Sequence, residues 1–303
     1  MPPVANNKTG SALARRRLWR CLAELPDKQW ERWQEALKRC RRKCGEKRVH
    51  KLRVESRRLL ALIELLGDLV PASHPKRVRR PVKCVLDNLS RLRDTQTMLR
   101  GVERDCVKYP ALTDFRDHLC RDEKRITKNL PGKLHRSHAS KIKDCLGEFR
   151  KETRPFLREA RKAEASIAPL VTVVNLSFQR VLKRRARSQP DNFTSIHCTR
   201  IAFKKFRYLV ELLAPLTGGV TAAQCDALRE HQDLMGNIQD DTTLLRALDK
   251  FGRKHRRRRA ALRKFRATVE RRRAAHIRRY FGAEEPRELW PTAWHRAKTT
   301  DAV

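Results

Sequence analysis

The chain has 303 residues, 72 of them Lys or Arg against 34 Asp or Glu, giving a formal net charge of +38 at neutral pH. Self-repulsion on that scale opposes compactness unless an anion screens it, so cationic partners are excluded; nucleic acid, an anionic membrane surface, an acidic protein and an inorganic polyanion remain. Hydrophobic residues make up 40% and Gly and Pro number only 11 and 14, enough apolar material for a proper core in an ordered, mostly helical chain of one or two domains.

In chain order, the polar stretch 1–11 reads as a disordered tail, followed by a helical hairpin over 11–25 and 27–44, broken at Pro26. A helix begins near Val49 and ends by Gly67, where GDLVPASHP supplies a stop. A long helix is predicted over 76–102, carrying Leu86, Leu89, Leu92 and Leu99, with Pro81 either in its early turns or marking a kink. The next spans 112–129 and stops before Pro131-Gly132. Further helices are expected over 137–164, with Pro155 as a point of interruption, and over 169–187. The loop SQPDNFTS then offers N-cap residues to a helix that ends at Ala214-Pro215. Helices over 222–250 and 253–280 complete the series, the last holding 14 Lys or Arg and a single acid, Glu270. The tail 283–303, with Trp290 and Trp294, reads as a peripheral segment that docks on the body or on a partner. No segment sustains β alternation, so the expected fold is all-α.

Two of these helices are copies of each other. The pattern H-x-x-R-aliphatic-x-x-basic-basic runs from His50 to Arg58 and again from His197 to Lys205, 147 residues on, and both copies continue into Leu-Ile/Val-Glu-Leu-Leu. Asp87 and Asp94 recur as Asp233 and Asp240, 146 residues on, so the following helix is duplicated as well. A unit of this length holds several helices, and two related halves closing on one another in pseudo-twofold fashion are expected.

At about 100° per residue, His50, Arg53, Arg57 and Arg58 fall within roughly a 140° arc, as do His197, Arg200, Lys204 and Lys205. Leu52, Leu59, Leu62, Ile63 and Leu66 occupy the opposite face, matched by Phe203, Phe206, Leu209, Val210 and Leu213. A merely solvated face would mix Glu with Lys for favourable pairs, whereas each motif arc carries a His and three cations without a carboxylate. Such a face repels itself and points to a bound anion. Tyr208 is the one aromatic on the basic arc. His50 and His197, with a reference pKa near ~6.5, would be protonated beside phosphate and neutral without it. Asp94 and Asp240 are expected to orient the motif cations through hydrogen bonds.

HKLRVESRRLLALIELL, LSRLRDTQTML, IHCTRIAFKKFRYLVELL and LMGNIQDDTTLL, in this order and spacing over roughly 12–282, resemble the CHAD domain (conserved histidine α-helical domain) family. The resemblance implies an all-α fold of two pseudo-symmetric four-helix bundles, with first and second halves of about 12–135 and 136–282, around a central basic pore. It also implies non-catalytic binding of inorganic polyphosphate there, for targeting to or organising polyphosphate granules. Carried over by residue, it places His50, Arg53, Arg57 and Arg58 on the pore wall opposite His197, Arg200, Lys204, Lys205 and Arg207, with Arg93 as a further contributor. Leu60 stands where the family's first repeat often has a basic residue and Cys198-Thr199 replace a more usual basic-leucine pair, so the second half is expected to be the stronger binder.

Other classes find less support. No E-x-E-x-K pattern, nucleophile elbow, Walker loop or zinc spacing is present, so no catalytic residue, cofactor or metal is assigned. His135-x-x-His138 lies in a basic loop without a carboxylate cluster. Aromatics are only 6% of the chain, few for a stacking binder of single strands. The alternative is a basic helical nucleic-acid-binding protein using the Arg-rich last helix; weak non-specific nucleic-acid binding is expected in either case. Nine singly scattered cysteines, Cys40 and Cys44 among them, fit a reduced cytoplasmic protein. The most apolar run, 59–70, is interrupted by Glu64 and Asp68 and falls short of the ~20 residues of a membrane span, and no signal-peptide core is seen.

Overall fold

The amino-terminal helix sets the frame. In this computed structural model, which describes residues 7–136, 139–217, 220–283 and 285–290, α1 (Asn7–Arg42) runs for 36 residues straight through Pro26. The expected hairpin is therefore one helix, and part of the stretch assigned to a disordered tail is helical. A proline inside a helix removes a hydrogen bond and crowds the preceding turn. Here Leu18, Trp19 and Leu22 before it and Trp33, Leu37 and Cys40 after it are buried in one cluster, so docking of the whole face outweighs the local cost. Both Trp indoles find acceptors: Trp33 Nε1 donates to Ser56 Oγ at 3.0 Å and Trp19 Nε1 to the Ala165 carbonyl at 2.8 Å.

The remaining elements are α2 (Glu46–Leu69), α3 (Pro75–Asn88), α4 (Ser90–Asp105), a 3-10 turn (Pro110–Leu112), α5 (Thr113–Arg136), α6 (Ala139–Lys162), α7 (Ala168–Arg185), α8 (Phe193–Thr217), α9 (Ala222–Lys254), α10 (Arg256–Arg259), α11 (Arg263–Phe281) and α12 (Pro286–Leu289). The all-α expectation holds: among the described residues every regular element is helical. Gly67 lies within α2, where a Cβ would come within 2.6 Å of the Pro75 ring, so a larger residue there would push α3 away. At the start of α9, Thr221 Oγ1 accepts from Gln224 N and Gln224 Oε1 accepts from Thr221 N, a reciprocal cap.

Several helix boundaries differ from expectation: α6 runs uninterrupted through Pro155, and α8 continues past Pro215 to Thr217. The helix predicted over 76–102 breaks at Leu89, because the Leu86 carbonyl is taken by Ser90 Oγ (3.1 Å) and Arg53 Nη1 (3.3 Å) at that bend. α5 passes through Pro131 because Leu130 and Leu134, on either side, are fully buried. The predicted 253–280 helix is cut at His255, which leaves helical geometry and lies against Phe251 at 4.4 Å; Phe251 and Leu262 then anchor the two arms in the same cluster.

The apolar side chains form two clusters. The larger draws on α1 to α9, with Leu92 as the contribution of α4, and takes in Tyr280 of α11 and Trp290. The smaller joins α4 and α5 to α9 and α11, through Val102, Phe115 and Leu119 on one side and Leu245, Phe251 and Phe265 on the other. α6 lies beyond residue 136 but packs on α1 and α3, so that position divides the sequence rather than the packing. In the tail, Trp290 is buried against Phe178 and Phe206, and α12 sits on α7 and α9, so this segment docks on the body. Trp294 and His138 lie outside the described residues, and so does the His135 side chain.

Candidate functional site

Helix α2 packs on α8, α8 on α9, α9 on α4 and α4 on α2, a closed cycle of four helices. Both copies of the motif, together with Asp94, Asp233 and Asp240, belong to this cycle, whereas Asp87 falls on α3. At ~100° per residue, His50, Arg53 and Arg57 share a stripe of about 60° on α2, while Arg58 lies about 100° further round. The apolar faces of α2 and α8 are consumed by the larger core cluster, and on their cationic stripes Arg57 of α2 acts on Arg200 and Lys204 of α8.

The fields of these side chains overlap. Lys204 is held well below the usual lysine range, first by burial and then by repulsion from Arg57, Arg200, Arg53 and Arg207. Burial, then Arg57 and Arg93, pushes the Arg53 guanidinium down to about 10, with Asp94 opposing. Arg200 is lowered by burial, with Asp240 opposing and Arg57 adding repulsion. His50 is lowered by burial and then by Arg93, Arg57 and Arg53, so it is neutral near pH 7. Asp94 and Asp240 are raised by burial despite Arg53, Arg200 and Arg93 nearby. Yet Asp94, Asp240 and His50 are solvent-exposed, and Arg53, Arg57, Arg200 and Lys204 are only partly covered. His50, Arg53, Arg200, Lys204, Asp94 and Asp240 thus touch water while the protein around them still penalises their charged forms.

Within this group, Arg57, Arg200 and Lys204 have no carboxylate in ion-pair contact among the described residues. Arg200 Nε is buried without a hydrogen-bond partner, an unmet donor of the kind that structures rarely leave. Arg53 is fixed by the Leu86 carbonyl and Ser90 Oγ (2.9 Å), and His197 Nδ1 by Gln239 Oε1 (2.6 Å). This arrangement can receive several negative charges at once: Arg forks suit phosphate oxygens, and Lys204 acts as a point charge.

The other sequence-predicted residues are already engaged. Arg58 turns to Glu55 at 3.4 Å, a fully buried carboxylate shared with Lys51 (2.8 Å) and Gln29. Burial alone would raise Glu55, but Lys51, Gln29 and Arg58 outweigh it and hold it below its ordinary value. Lys205 pairs with Glu64 at 3.1 Å and Arg93 with Glu46 at 2.6 Å. Arg207 is buried, bonded to Glu211 (2.5 Å) and Gln232 (2.8 Å), and lies over the buried Tyr208 ring at 4.4 Å. Asp94 and Asp240 make no hydrogen bond to a motif cation among the described residues; their influence acts through space, and the orienting bonds come from Ser90, Leu86, Gln239 and Gln232. Those partners carried no motif signal, although Gln239 directly precedes Asp240. Among the described residues there is no group of three or more His, Cys, Asp or Glu that could hold a metal ion.

Four mutually packed helices that bring cations of both motif copies together define an all-α class, and the comparisons narrow it. The CHAD domain family model matches residues 24–249, and the chain belongs to that family. Its fold resembles the crystal structure of the CHAD domain from the plant Ricinus communis, with a TM-score of 0.61 at 18% identity over 92% of each chain. It also resembles PptA from Streptomyces chartreusis, with a TM-score of 0.55 at 16% identity over 90% of this chain and 98% of that one. Comparison with curated proteins returned no match. No described helix is long and apolar enough to cross a membrane.

Proposed function

We propose that this protein binds inorganic polyphosphate, without catalysing a reaction on it, in a central basic channel that passes through the cycle of α2, α4, α8 and α9. The two related halves, about 12–135 and 136–282, supply the two walls. His50, Arg53, Arg57 and Arg93 stand on one side and His197, Arg200 and Lys204 on the other, with Arg58, Lys205, Arg207 and Tyr208 supporting them from outside the inner row. The observation that carries this reading is the cluster of Arg57, Arg200 and Lys204: three cations from both motif copies, Arg200 and Lys204 held down by burial and by repulsion from Arg57, with no carboxylate in ion-pair contact among the described residues. A protein bears such a cost where a ligand relieves it. The cytoplasm, at polyphosphate granules, is the location that follows from this ligand.

A second reading places nucleic acid on the tip formed by α10 and the adjoining ends of α9 and α11, where residues 253–261 are all exposed and of the six Lys or Arg there Arg258 pairs with Asp114. Competition separates the two. On the polyphosphate reading, bound long-chain polyphosphate survives excess duplex DNA at physiological salt, and Arg57→Gln/Arg200→Gln/Lys204→Gln loses far more polyphosphate affinity than Arg256→Gln/Arg257→Gln/Arg259→Gln. Displacement by DNA, or the reverse order of the two triple variants, favours the tip.

A further inference from the structure

The stripe of α2 that carries His50, Arg53 and Arg57 has an acid at each end. Counted at ~100° per residue, Glu46 and Glu64 fall within the same 60° as the three basic residues, and at ~1.5 Å per residue they stand about 27 Å apart along the axis. Each holds two cations: Glu46 pairs with Arg93 at 2.6 Å and with Arg100, and Glu64 with Arg79 at 3.0 Å and Lys205 at 3.1 Å. These pairs tie α2 to α4 at one end and to α3 and α8 at the other. Both carboxylates are reachable by solvent, at 36% and 32% side-chain exposure, whereas Glu55 (0%) and Glu211 (10%) are built into the packing.

We propose that Glu46 and Glu64 cap the cationic stripe of α2 and limit how many phosphates of a polyphosphate chain the site engages. The proposal rests on the polyphosphate reading above and adds a length specificity to it. A short chain sits among His50, Arg53, Arg57, Arg200 and Lys204 and leaves both capping pairs intact. A chain longer than the interval meets a carboxylate at each end; the carboxylate repels it and offsets half the charge of the two cations it holds, Arg93 and Arg100 at one end and Arg79 and Lys205 at the other. Affinity therefore rises with chain length only until the chain reaches the two glutamates, and the grip on long polymer stays reversible. In the second copy, Glu211 matches Glu64 but Phe193 stands at the position of Glu46, so the double cap belongs to α2 alone.

The test compares the full chain with Glu46→Gln/Glu64→Gln, titrated calorimetrically with tripolyphosphate and with long-chain polyphosphate at the same ionic strength. Glu24→Gln/Glu35→Gln serves as control, because it removes the same charge from exposed pairs on α1. Removal of the caps is expected to raise long-chain affinity about five- to thirtyfold, with a steeper salt dependence, and to leave tripolyphosphate affinity unchanged within about twofold. The control variant should change neither. Equal gains for both lengths, an equal gain in the control, or no long-chain gain overturns the capping role while the polyphosphate reading stands; a wild type that binds neither polymer overturns both. Should the double variant fold poorly, the wild type still decides: after allowance for the number of registers, its affinity must level off with chain length, and an unbroken rise overturns the proposal.

Discussion

Replacing Lys204 with Met separates a ligand-directed cation from a structural one. Met retains most of the apolar stem and removes the charge. In the free protein Lys204 is partly covered and surrounded by Arg57, Arg200, Arg53 and Arg207. Its charged form is disfavoured in the folded state relative to the unfolded chain, and each pKa unit of such depression corresponds to about 1.4 kcal/mol. Burial and these neighbours hold it well below the usual lysine range, so Lys204→Met should stabilise the ligand-free protein and raise its Tm in differential scanning calorimetry. In the complex the same change removes a charge-assisted contact worth about 1.5–3 kcal/mol, a loss of roughly ten- to a hundredfold in polyphosphate affinity by isothermal titration. A variant that melts lower than wild type and binds equally well would refute the reasoning, because Lys204 would then be a packing residue.

Three further outcomes follow from particular contacts. His50 is depressed in the free protein, and bound phosphate must raise it, so binding takes up protons. Affinity should be greatest below the free-state pKa, which lies under the ordinary ~6.5, and should fall as pH rises through the bound-state value; His50→Gln should flatten that fall, and a pH-independent wild-type affinity between about pH 6 and 8 would contradict it. Ser90→Ala removes the hydroxyl that holds Arg53 at 2.9 Å and should weaken polyphosphate binding roughly two- to tenfold, with an unchanged affinity showing that Arg53 needs no such anchor. Trp290→Ala should lower unfolding stability in urea by about 3 kcal/mol, since Trp290 is 2% exposed against Phe178 and Phe206, while polyphosphate affinity stays at the wild-type value. A stability loss under about 1 kcal/mol would mean that the tail is only lightly docked.

The helical class and the motif stripe were legible because both rest on the 3.6-residue period, which tertiary packing rarely reverses. Prolines were misleading at Pro26 and Pro131, since a buried face on each side of the ring decides the outcome and sequence alone does not reveal which faces are buried. The break at Leu89 was invisible for a related reason: it depends on Arg53 reaching across from another helix to the Leu86 carbonyl. Within the motif, a four-residue arc treated Arg58 as an equal of Arg57. Glu55, three residues before Arg58 and fully buried, draws it away. The carboxylates that engage Arg93 and Lys205 come from the start and the end of α2, and only the folded arrangement brings them to those cations; Glu211 stands one helical turn after Arg207 on α8, a pair the 3.6-residue period already offers.

The most direct test of the central claim is a crystal structure of the protein grown with polyphosphate. The account predicts an elongated run of phosphate density inside the cycle of α2, α4, α8 and α9, within bonding distance of Arg57, Arg200 and Lys204. Density confined to the exposed cations around α10, with an unchanged interior, would contradict it.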